Sequence, residues 1–281
     1  MRKRLRLKSL PPLIVAILVL AIWAILSIFP FYWNLIAAFL PVDQIFSYPP
    51  KLLPTTVTGH NFSDLAGAIP TLWQNIGNSL ILAVAIPVAN VFLSTLAGFA
   101  FAKLEFWGRE VLFYAVVATM AVPALIGYVP LFLQLNAVGL SDSLWAVFFP
   151  SLVGAFGTFL FRQVMETIPE ELFDAAKIDG ASNFRIYRAI AIPLVMPMII
   201  TQFIVGFLNA FNDYFWPLII LQSPEKQTFP VALASIQGQF FSSPWGQIMA
   251  GSLILMLPAL LIFAFLSRFI VPNTTAGAVK G

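Results

Sequence analysis

The sequence predicts an all-α integral membrane protein with six transmembrane helices. Of its 281 residues, 60% are hydrophobic and only 10% are charged, and the mean hydropathy is +0.91. Soluble domains carry about 25% charged residues, so this chain lacks the polar surface that a water-soluble globule needs. Its apolar runs have the length that spanning helices require, about 20 residues or more. A membrane β-barrel would instead show short segments of alternating polarity.

Six apolar segments are predicted to span the membrane. They cover approximately residues 12–38, 76–102, 111–134, 144–165, 191–221 and 247–271. Proline removes a backbone donor and clashes with the preceding turn. Pro30 and Pro217 are therefore predicted to bend or end the long first and fifth helices. Pro123 and Pro130, on either side of Tyr128, are predicted to break the third helix.

The basic N-terminal stretch resembles the start of a signal peptide. The apolar run from Leu13 to about Leu40 is too long for a signal-peptide core, however, and no small-residue cleavage site follows it. We therefore expect an uncleaved first membrane helix and a single transmembrane domain over residues 1–281.

The distribution of lysine and arginine predicts the orientation. With the N-terminus inside, the cytoplasmic segments are 1–11, 103–110, 162–190 and 268–281. They hold all of the 15 Lys and Arg residues except Lys51 and Lys226. The positive-inside rule then places both termini in the cytoplasm.

The predicted external loops are residues 39–75 and 222–246, and the second could carry a short surface helix. His60 lies in the first loop and is expected to be solvated. With no cysteine and only one histidine, the chain excludes disulfides, thiolate chemistry and a histidine cluster for a metal or a proton relay. No catalytic residue, no metal ligand and no bound cofactor is predicted, and nothing suggests a nucleic-acid partner.

A charged loop, residues 166–190, separates the fourth and fifth spans. Thr167 and Glu170 have the spacing of a capping box. Gly180 is the expected residue for a left-handed helix stop, and Ser182 can cap a second short helix. The predicted element is therefore a helix–glycine–helix at the cytoplasmic membrane face.

One face of the first loop helix is narrow. Leu172, Ala175, Ala176 and Asp179 share that face at helical spacing. The two adjacent alanines allow it to enter a groove on another protein. The alternative is an amphipathic segment lying on lipid headgroups, but the loop and its flanks, from Arg162 to Arg188, are rich in acids, and a lipid-facing surface would be mostly basic.

The loop resembles the "EAA" loop of permease subunits in binding-protein-dependent ABC importers. The resemblance rests on Asp174, Ala175, Ala176, Gly180, Ile190, Ile192 and Pro193 at the family spacing. Asp174 replaces the first glutamate of that motif and Ile192 replaces the usual leucine, and both keep the chemistry. The form of the loop is similar to the sugar-importer branch, the relatives of the second maltose-permease subunit.

Further motifs of this family follow in order along the chain. They are Asn78-Ser79-Leu80, VPLFLQLNAVGLSDS at 129–143, FLFRQ at 159–163, FNDYFWPLI at 211–219 and TAGAVKG at 275–281. The last lies in a predicted cytoplasmic tail, residues 272–281. By resemblance to the family this tail reaches toward a partner ATPase subunit, and the alternative is a frayed terminus.

The resemblance implies that the loop inserts into a cytoplasmic ATPase and couples its movements to the membrane helices. The residues implied in this coupling are Glu171, Asp174, Ala175, Ala176, Asp179, Gly180, Ile190 and Pro193. The chain contains no G-x-x-x-x-G-K-[ST] phosphate loop, so ATP and Mg are expected on the partner. The implied assembly contains a second, different permease, two ATPase copies and an extracytoplasmic solute-binding protein, in a bacterial or archaeal cytoplasmic membrane.

Polar residues of the fifth span are the predicted substrate path. They are Gln202, Asn209, Asn212, Asp213, Tyr214 and Trp216. Asn209, Asn212, Asp213 and Trp216 are expected to share a helical face. Amides and a carboxylate beside an aromatic ring suit a sugar, whose hydroxyls need donors and acceptors. The alternative role is hydrogen bonding between helices.

A second polar strip lies in the second span, where helix packing is the favoured role. It comprises Asn75, Asn78, Asn90, Ser94 and Thr95.

The sequence therefore predicts the permease subunit of an ATP-driven carbohydrate importer working by alternating access. A polyol or glycerol phosphate is an alternative cargo, although the spans lack a basic residue to bind phosphate. An ion-coupled secondary transporter would need buried titratable groups and inverted repeats, and Asp213 is the only convincing intramembrane acid. An intramembrane enzyme would need a convergent catalytic set, which the sequence lacks.

Overall fold

The computed structural model describes residues 10–54, 56–237 and 244–266, and all regular elements within them are helical. The helices are α1 Leu10–Ala38, α2 Val42–Ile45, α3 His60–Ala68, α4 Leu72–Lys103, α5 Arg109–Ala118, α6 Ala124–Ala137, α7 Leu144–Phe148, α8 Ala155–Glu166, α9 Glu170–Ile178, α10 Asn183–Ile186, α11 Ile192–Phe211, α12 Phe215–Ile220, α13 Phe229–Ser235 and α14 Trp245–Leu266. The predicted tail, residues 272–281, lies outside the described residues.

Five segments have the length and composition to cross a membrane, and a bent pair of helices makes a sixth if the pair is one span, which confirms the predicted all-helical membrane fold. Five are single segments: Leu13–Ala38, Leu72–Lys103, Leu144–Glu166, Asn183–Phe211 and Trp245–Leu266. The sixth is a pair of helices, Arg109–Ala121 and Ala124–Ala137, bent by 99°.

Prolines act at some of the predicted positions only. Pro123 lies at the bend of the third span, as predicted, because it precedes α6 in an extended conformation. Pro130 lies inside α6 and does not break it. Likewise, α1 does not end at Pro30 but continues to Ala38. The fifth span ends at Phe211, before Pro217, which belongs to the separate helix α12.

The chain divides into two compact units, and the described part of the first comprises residues 10–54, 56–70, 236–237 and 244–254. In this unit the buried side-chain amide of Asn61 donates hydrogen bonds to the carbonyl oxygens of Ala38, at 2.9 Å, and Leu40, at 2.8 Å. It thereby satisfies carbonyl groups left free where α1 ends. His60 begins α3 rather than lying in an irregular loop, and its side chain is exposed, as expected.

The described part of the second unit comprises residues 71–235 and 255–266, and α4 packs there against α8, α11 and α13. Small residues allow the backbones to approach closely. A Cβ atom added to Gly98 would lie 2.6 Å from Cβ of Phe161, and one added to Gly206 would lie 2.8 Å from Cβ of Pro87. Because these two positions have no side chain, α4 can lie close to α8 at Gly98 and to α11 at Gly206.

Three polar side chains near the start of α4 form hydrogen bonds with the chain where α13 begins. The side-chain amides of Asn75 and Asn78 donate to the carbonyl oxygen of Gln227 at 2.9 and 3.0 Å. The hydroxyl of Ser79 accepts from the N–H of Phe229 at 2.8 Å. The helix expected on the surface of the second external loop is therefore a buried helix, because these bonds draw it into the core.

Candidate functional site

The charged loop folds as a helix–glycine–helix, as predicted. Gly180 follows α9 with φ +76°, the left-handed conformation that glycine adopts without steric cost. The hydroxyl of Ser182 accepts a hydrogen bond from the N–H of Arg185 at 3.3 Å and caps α10.

The predicted capping box at the start of α9 is not formed. Thr167 ends α8 in a helical conformation, and its hydroxyl donates to the carbonyl oxygen of Val164 at 2.7 Å. Glu170 instead binds Lys103 at 3.0 Å. Pro169 occupies the N-cap position, without a side-chain hydrogen bond. Thr167 and Glu170 have the spacing of a capping box, but the Thr167 hydroxyl bonds to the preceding helix, α8, instead of capping α9.

Phe173 anchors α9 to the C-terminal end of α4. Its side chain is 1% exposed, and its ring centroid lies 6.4 Å from that of Phe99. The Lys103 ammonium lies 4.6 Å from the same ring and donates to the carbonyl oxygen of Ile168 at 2.9 Å. Sequence reasoning missed Phe173 and Lys103. The available signal was a single bulky aromatic in a helix of small and charged residues.

A second anchor joins the loop to α4 at Thr95, one helical turn before Phe99. A π-helical turn, Tyr187–Ala191, connects α10 to α11, so that the loop continues directly into the fifth span. The hydroxyl of Tyr187 lies 2.8 Å from Oγ1 of Thr95, in hydrogen-bond contact. π-Helical turns are frequent at functional sites.

The predicted coupling residues are partly exposed and partly packed on the core. Glu171, Asp174, Ala175, Asp179, Gly180 and Pro193 are exposed, whereas Ala176 and Ile190 are half-buried and pack on the core. Ile178 is 86% exposed and Leu172 is 46% exposed. The outer face of α9 thus presents acidic, small and apolar side chains together, and we call it the α9 surface.

A cavity of about 480 Å³ lies between α4, α6, α8 and α11. Its polar lining residues are Asn90, Tyr128, Ser151, Gln202, Asn209 and Asp213. Three of the predicted path residues, Gln202, Asn209 and Asp213, therefore meet there. Asn90 came from the second strip, and Tyr128 was named only as the residue between Pro123 and Pro130. Ser151 was missed because nothing distinguishes it from other serines in the sequence. We call this space the polar cavity.

The expectation that Asn212 and Trp216 share the face of Asn209 is wrong, because α11 ends at Phe211. Asn212 is exposed, lines no described cavity and donates to the carbonyl oxygen of Leu208 at 2.8 Å. Tyr214 also lies outside the polar cavity.

Trp216 lines a smaller neighbouring cavity of about 260 Å³, which shares Tyr128, Ser151 and Asp213 with the polar cavity. Its indole N–H donates to the carbonyl oxygen of Ala146 at 3.0 Å, and its ring centroid lies 5.2 Å from that of Tyr128. Trp216 therefore holds the tyrosine ring at the wall between the two cavities.

The polar groups of the cavity differ in their availability. The amide nitrogen of Asn90 is shared between the carbonyl oxygens of Ser151 and Leu152, both at 3.3 Å. Within the described part of the chain, the side chains of Gln202 and Asn209 form no hydrogen bond with protein, whereas the Asp213 carboxylate accepts from the backbone N–H groups of Tyr214, Phe215 and Trp216. Helix packing thus accounts for Asn90, and the turn after α11 engages Asp213, but neither explains Gln202 and Asn209. No group of three or more His, Cys, Asp or Glu among the described residues could hold a metal ion.

Comparisons with known proteins give a consistent result. A family model described as "Binding-protein-dependent transport system inner membrane component" matches residues 90–275. The chain is 31% identical over 264 residues to the arabinooligosaccharides transport system permease protein AraQ of Halalkalibacterium halodurans, covering 92% of this chain and 93% of AraQ. It is 33% identical over 270 residues to the inner membrane ABC transporter permease protein YcjP of Escherichia coli, covering 93% and 94%.

The fold also matches a solved structure. A bacterial ABC transporter involved in the import of the acidic polysaccharide alginate contains a chain with a TM-score of 0.84 and 20% identity. The match covers 96% of this chain and 100% of that chain.

Proposed function

The chain belongs to the family of binding-protein-dependent transport system inner membrane components, and from this we propose that it forms one half of the pore of an ATP-driven carbohydrate importer. The observation that carries the proposal is the polar cavity, where the side chains of Gln202 and Asn209 have no hydrogen-bond partner among the described residues. Neither amide is buried, so both are accessible to a cargo. A polyhydroxylated cargo would bond to these amides and to Asp213.

The chemistry of the polar cavity favours a neutral cargo. Its one charged side chain is Asp213, and neither lysine nor arginine lines it. A carboxylate and two amides can pair with sugar hydroxyls as acceptors and donors, and Tyr128 offers a ring for the apolar face of a sugar. A carboxylate would repel the anion of glycerol phosphate. We therefore assign a neutral sugar or polyol to this half of the pore. This class includes the arabinooligosaccharides named for one relative, whereas other relatives of similar identity are named for sn-glycerol-3-phosphate.

The α9 surface is proposed to contact the ATPase. Its apolar and small residues protrude from a helix that Phe173 and Lys103 fix to α4. Since α10 and the π-helical turn continue into α11, movement of the loop would be carried to Gln202 and Asn209. ATP binding would draw the loops of two permeases together and turn the cavity outward, and hydrolysis would return it inward.

The proposed assembly contains this chain, a different permease, two ATPase copies and a solute-binding protein in the bacterial or archaeal inner membrane. ATP and Mg would bind to the ATPase copies. The loop residues 166–190 and the predicted amino- and carboxy-terminal segments would face the cytoplasm.

The native mass of the complex, purified through a tag on this chain, tests the assembly. Uptake by the same complex in vesicles with ATP enclosed then tests the cargo, with neutral oligosaccharides and glycerol phosphate compared. We expect ATP-dependent uptake of a neutral sugar. A lone chain or homodimer that transports without ATP would contradict the proposed function. Preferential uptake of a phosphorylated cargo would contradict only the assignment of a neutral cargo, which rests on Asp213, and would leave the importer function standing.

A further inference from the structure

A second, apolar groove of about 540 Å³ lies on another face of α4 and α11. Its lining includes Val91 and Thr95 on α4, and Tyr187, Met196 and Phe203 along the fifth span. Its volume falls within the range of about 300–1,000 Å³ that is usual for ligand sites. We call this space the apolar groove.

The polar groups of the apolar groove are already engaged, with one exception. The hydroxyls of Thr95 and Tyr187 contact each other at 2.8 Å. The remaining polar side chain is Arg188, which is exposed at the groove and pairs with no acid in the part of the chain that the structure describes. The apolar groove therefore has one cation, Arg188, at its edge and apolar side chains along its length. It has no spare hydroxyl or amide, so it does not suit a sugar.

The groove has the length of one membrane leaflet. Arg188 and Phe203 are 15 positions apart along the fifth span, which corresponds to about 22 Å at the helical rise of 1.5 Å per residue. One leaflet, with its headgroup region included, is about 20–22 Å thick. The cation thus lies at one end of a channel that crosses a leaflet, at the end that the distribution of basic residues assigns to the cytoplasm.

We propose that the apolar groove binds an acidic phospholipid, with an acyl chain along Val91, Met196 and Phe203 and the headgroup phosphate on Arg188. Guanidinium groups bind phosphate oxygens in bidentate fashion. Basic pockets between membrane helices on the cytoplasmic side are typical sites for anionic headgroups. Because Tyr187 forms both the groove wall and the contact with Thr95, the lipid would stabilise the junction between the π-helical turn and α4.

Native mass spectrometry of the intact complex tests this proposal, with phosphatidylglycerol or phosphatidylethanolamine added at equal concentration. We expect phosphatidylglycerol to be retained in preference and Arg188→Gln to weaken its binding by at least about fivefold, the effect of one basic residue near an anionic surface. Arg188→Lys should retain most of the binding. Arg185→Gln is the matched control, because Arg185 is exposed on the same segment but does not line the groove.

Ile199→Trp, which fills the groove from its wall, provides a second test that leaves every charge in place. We expect the loss of lipid binding without loss of subunits from the complex. Equal binding to the wild-type and Arg188→Gln complexes, or equal binding of the two lipids, would overturn the proposal.

Another subunit covering the groove would also overturn it. The chain contains no cysteine, so Met196→Cys introduces a unique thiol into this subunit. Labelling by a membrane-soluble maleimide is expected in the delipidated complex, and added phosphatidylglycerol should slow it. A disulfide between Met196→Cys and cysteines introduced in the second permease would show instead that protein occupies the groove.

Discussion

The ammonium nitrogen of Lys103 lies 4.6 Å from the centroid of the Phe173 ring, at the contact between the last turn of α4 and the first helix of the charged loop. Lys103 also binds Glu170 at 3.0 Å. A cation over an aromatic ring contributes about 0.5–1 kcal/mol at exposed sites and more when it is desolvated. The side chain of Lys103 is only 4% exposed, so the larger contribution of a desolvated cation applies to this contact.

Phe173→Ala is expected to uncouple ATP hydrolysis from transport. Truncating a buried phenylalanine costs about 3–5 kcal/mol, enough to release α9 from α4. Purified complex should hydrolyse ATP at a rate that no longer responds to the binding protein, while uptake falls at least tenfold. Trp107→Ala is the control, because Trp107 is 98% exposed and its removal leaves no cavity. Normal uptake by the Phe173→Ala complex would contradict the anchoring role.

Gly180→Val is expected to uncouple the transporter by a different route. At φ +76° a non-glycine residue costs about 1–2 kcal/mol, and a branched one more, so the end of α9 should shift. Uptake and ATP hydrolysis would be measured together with membrane insertion, which should stay intact. Gly67→Val tests the same substitution at an exposed helical glycine without positive φ. If both variants transport equally well, the left-handed stop is dispensable.

Asp213→Asn and Asn209→Ala should reduce uptake without reducing assembly. Asn209→Ala removes a hydrogen-bonding amide from the polar cavity, and Asp213→Asn replaces one acceptor oxygen with an NH2 donor. A lost bond to a neutral partner is worth about 0.5–1.5 kcal/mol. We expect uptake efficiency to fall roughly 2- to 10-fold per variant. Asn212→Ala is the matched control, since Asn212 neighbours Asp213 but lies outside the cavity. Loss of the assembled complex before loss of uptake would assign Asn209 and Asp213 to packing.

Asp142→Asn should remove a pH-dependent part of the stability. The hydroxyl and backbone N–H of Ser223 bind the carboxylate at 2.5 and 2.9 Å. These bonds hold the pKa of Asp142 well below its usual range, and burial opposes them only in part. Because the folded-state pKa is depressed, the contribution is complete above the ordinary pKa of about 3.9 and is lost as the pH falls further.

Thermal unfolding of the purified complex from about pH 6 to pH 3 checks this expectation, since the loss of stability must lie around and below the ordinary pKa. Wild type should lose stability in the acid range, and Asp142→Asn should show a smaller loss. Asparagine tolerates the left-handed conformation that Asp142 adopts at φ 54°, so backbone strain does not obscure the comparison. Identical pH profiles would mean that the bonds to Ser223 contribute nothing.

Gly98→Ala should destabilise the contact of α4 with α8. The added Cβ would lie 2.9 Å from the backbone nitrogen of Arg162, and overpacking costs about 1–3 kcal/mol. Gly77→Ala, in the same helix, would meet no atom within 4 Å and should be neutral or slightly stabilising. The melting temperatures of the two purified complexes give the comparison. A Gly98→Ala complex as stable as Gly77→Ala would show that the helices can move apart freely.

Several features of the protein followed from the sequence because they depend on neighbouring residues only. Membrane insertion follows from continuous apolar runs, since each helix satisfies its own backbone hydrogen bonds. The stop at Gly180 and the cap at Ser182 follow from backbone conformation and from a side chain three residues away. The failed capping box shows the limit of such signals. Thr167 could serve either of two helices, and its neighbours did not decide which.

Only the tertiary structure decided which polar residues are available to a cargo. Asn90 and Asn209 both lie in apolar stretches of the sequence. The side-chain amide of Asn90 donates to carbonyl oxygens 61 and 62 positions away, whereas the side chain of Asn209 has no hydrogen-bond partner among the described residues. The same holds for Phe173, which packs on a helix whose end lies about 70 positions earlier, at Lys103. A side chain's hydrogen-bond partners and packing neighbours come from distant segments, so its role as staple, anchor or binding group is settled when the helices pack.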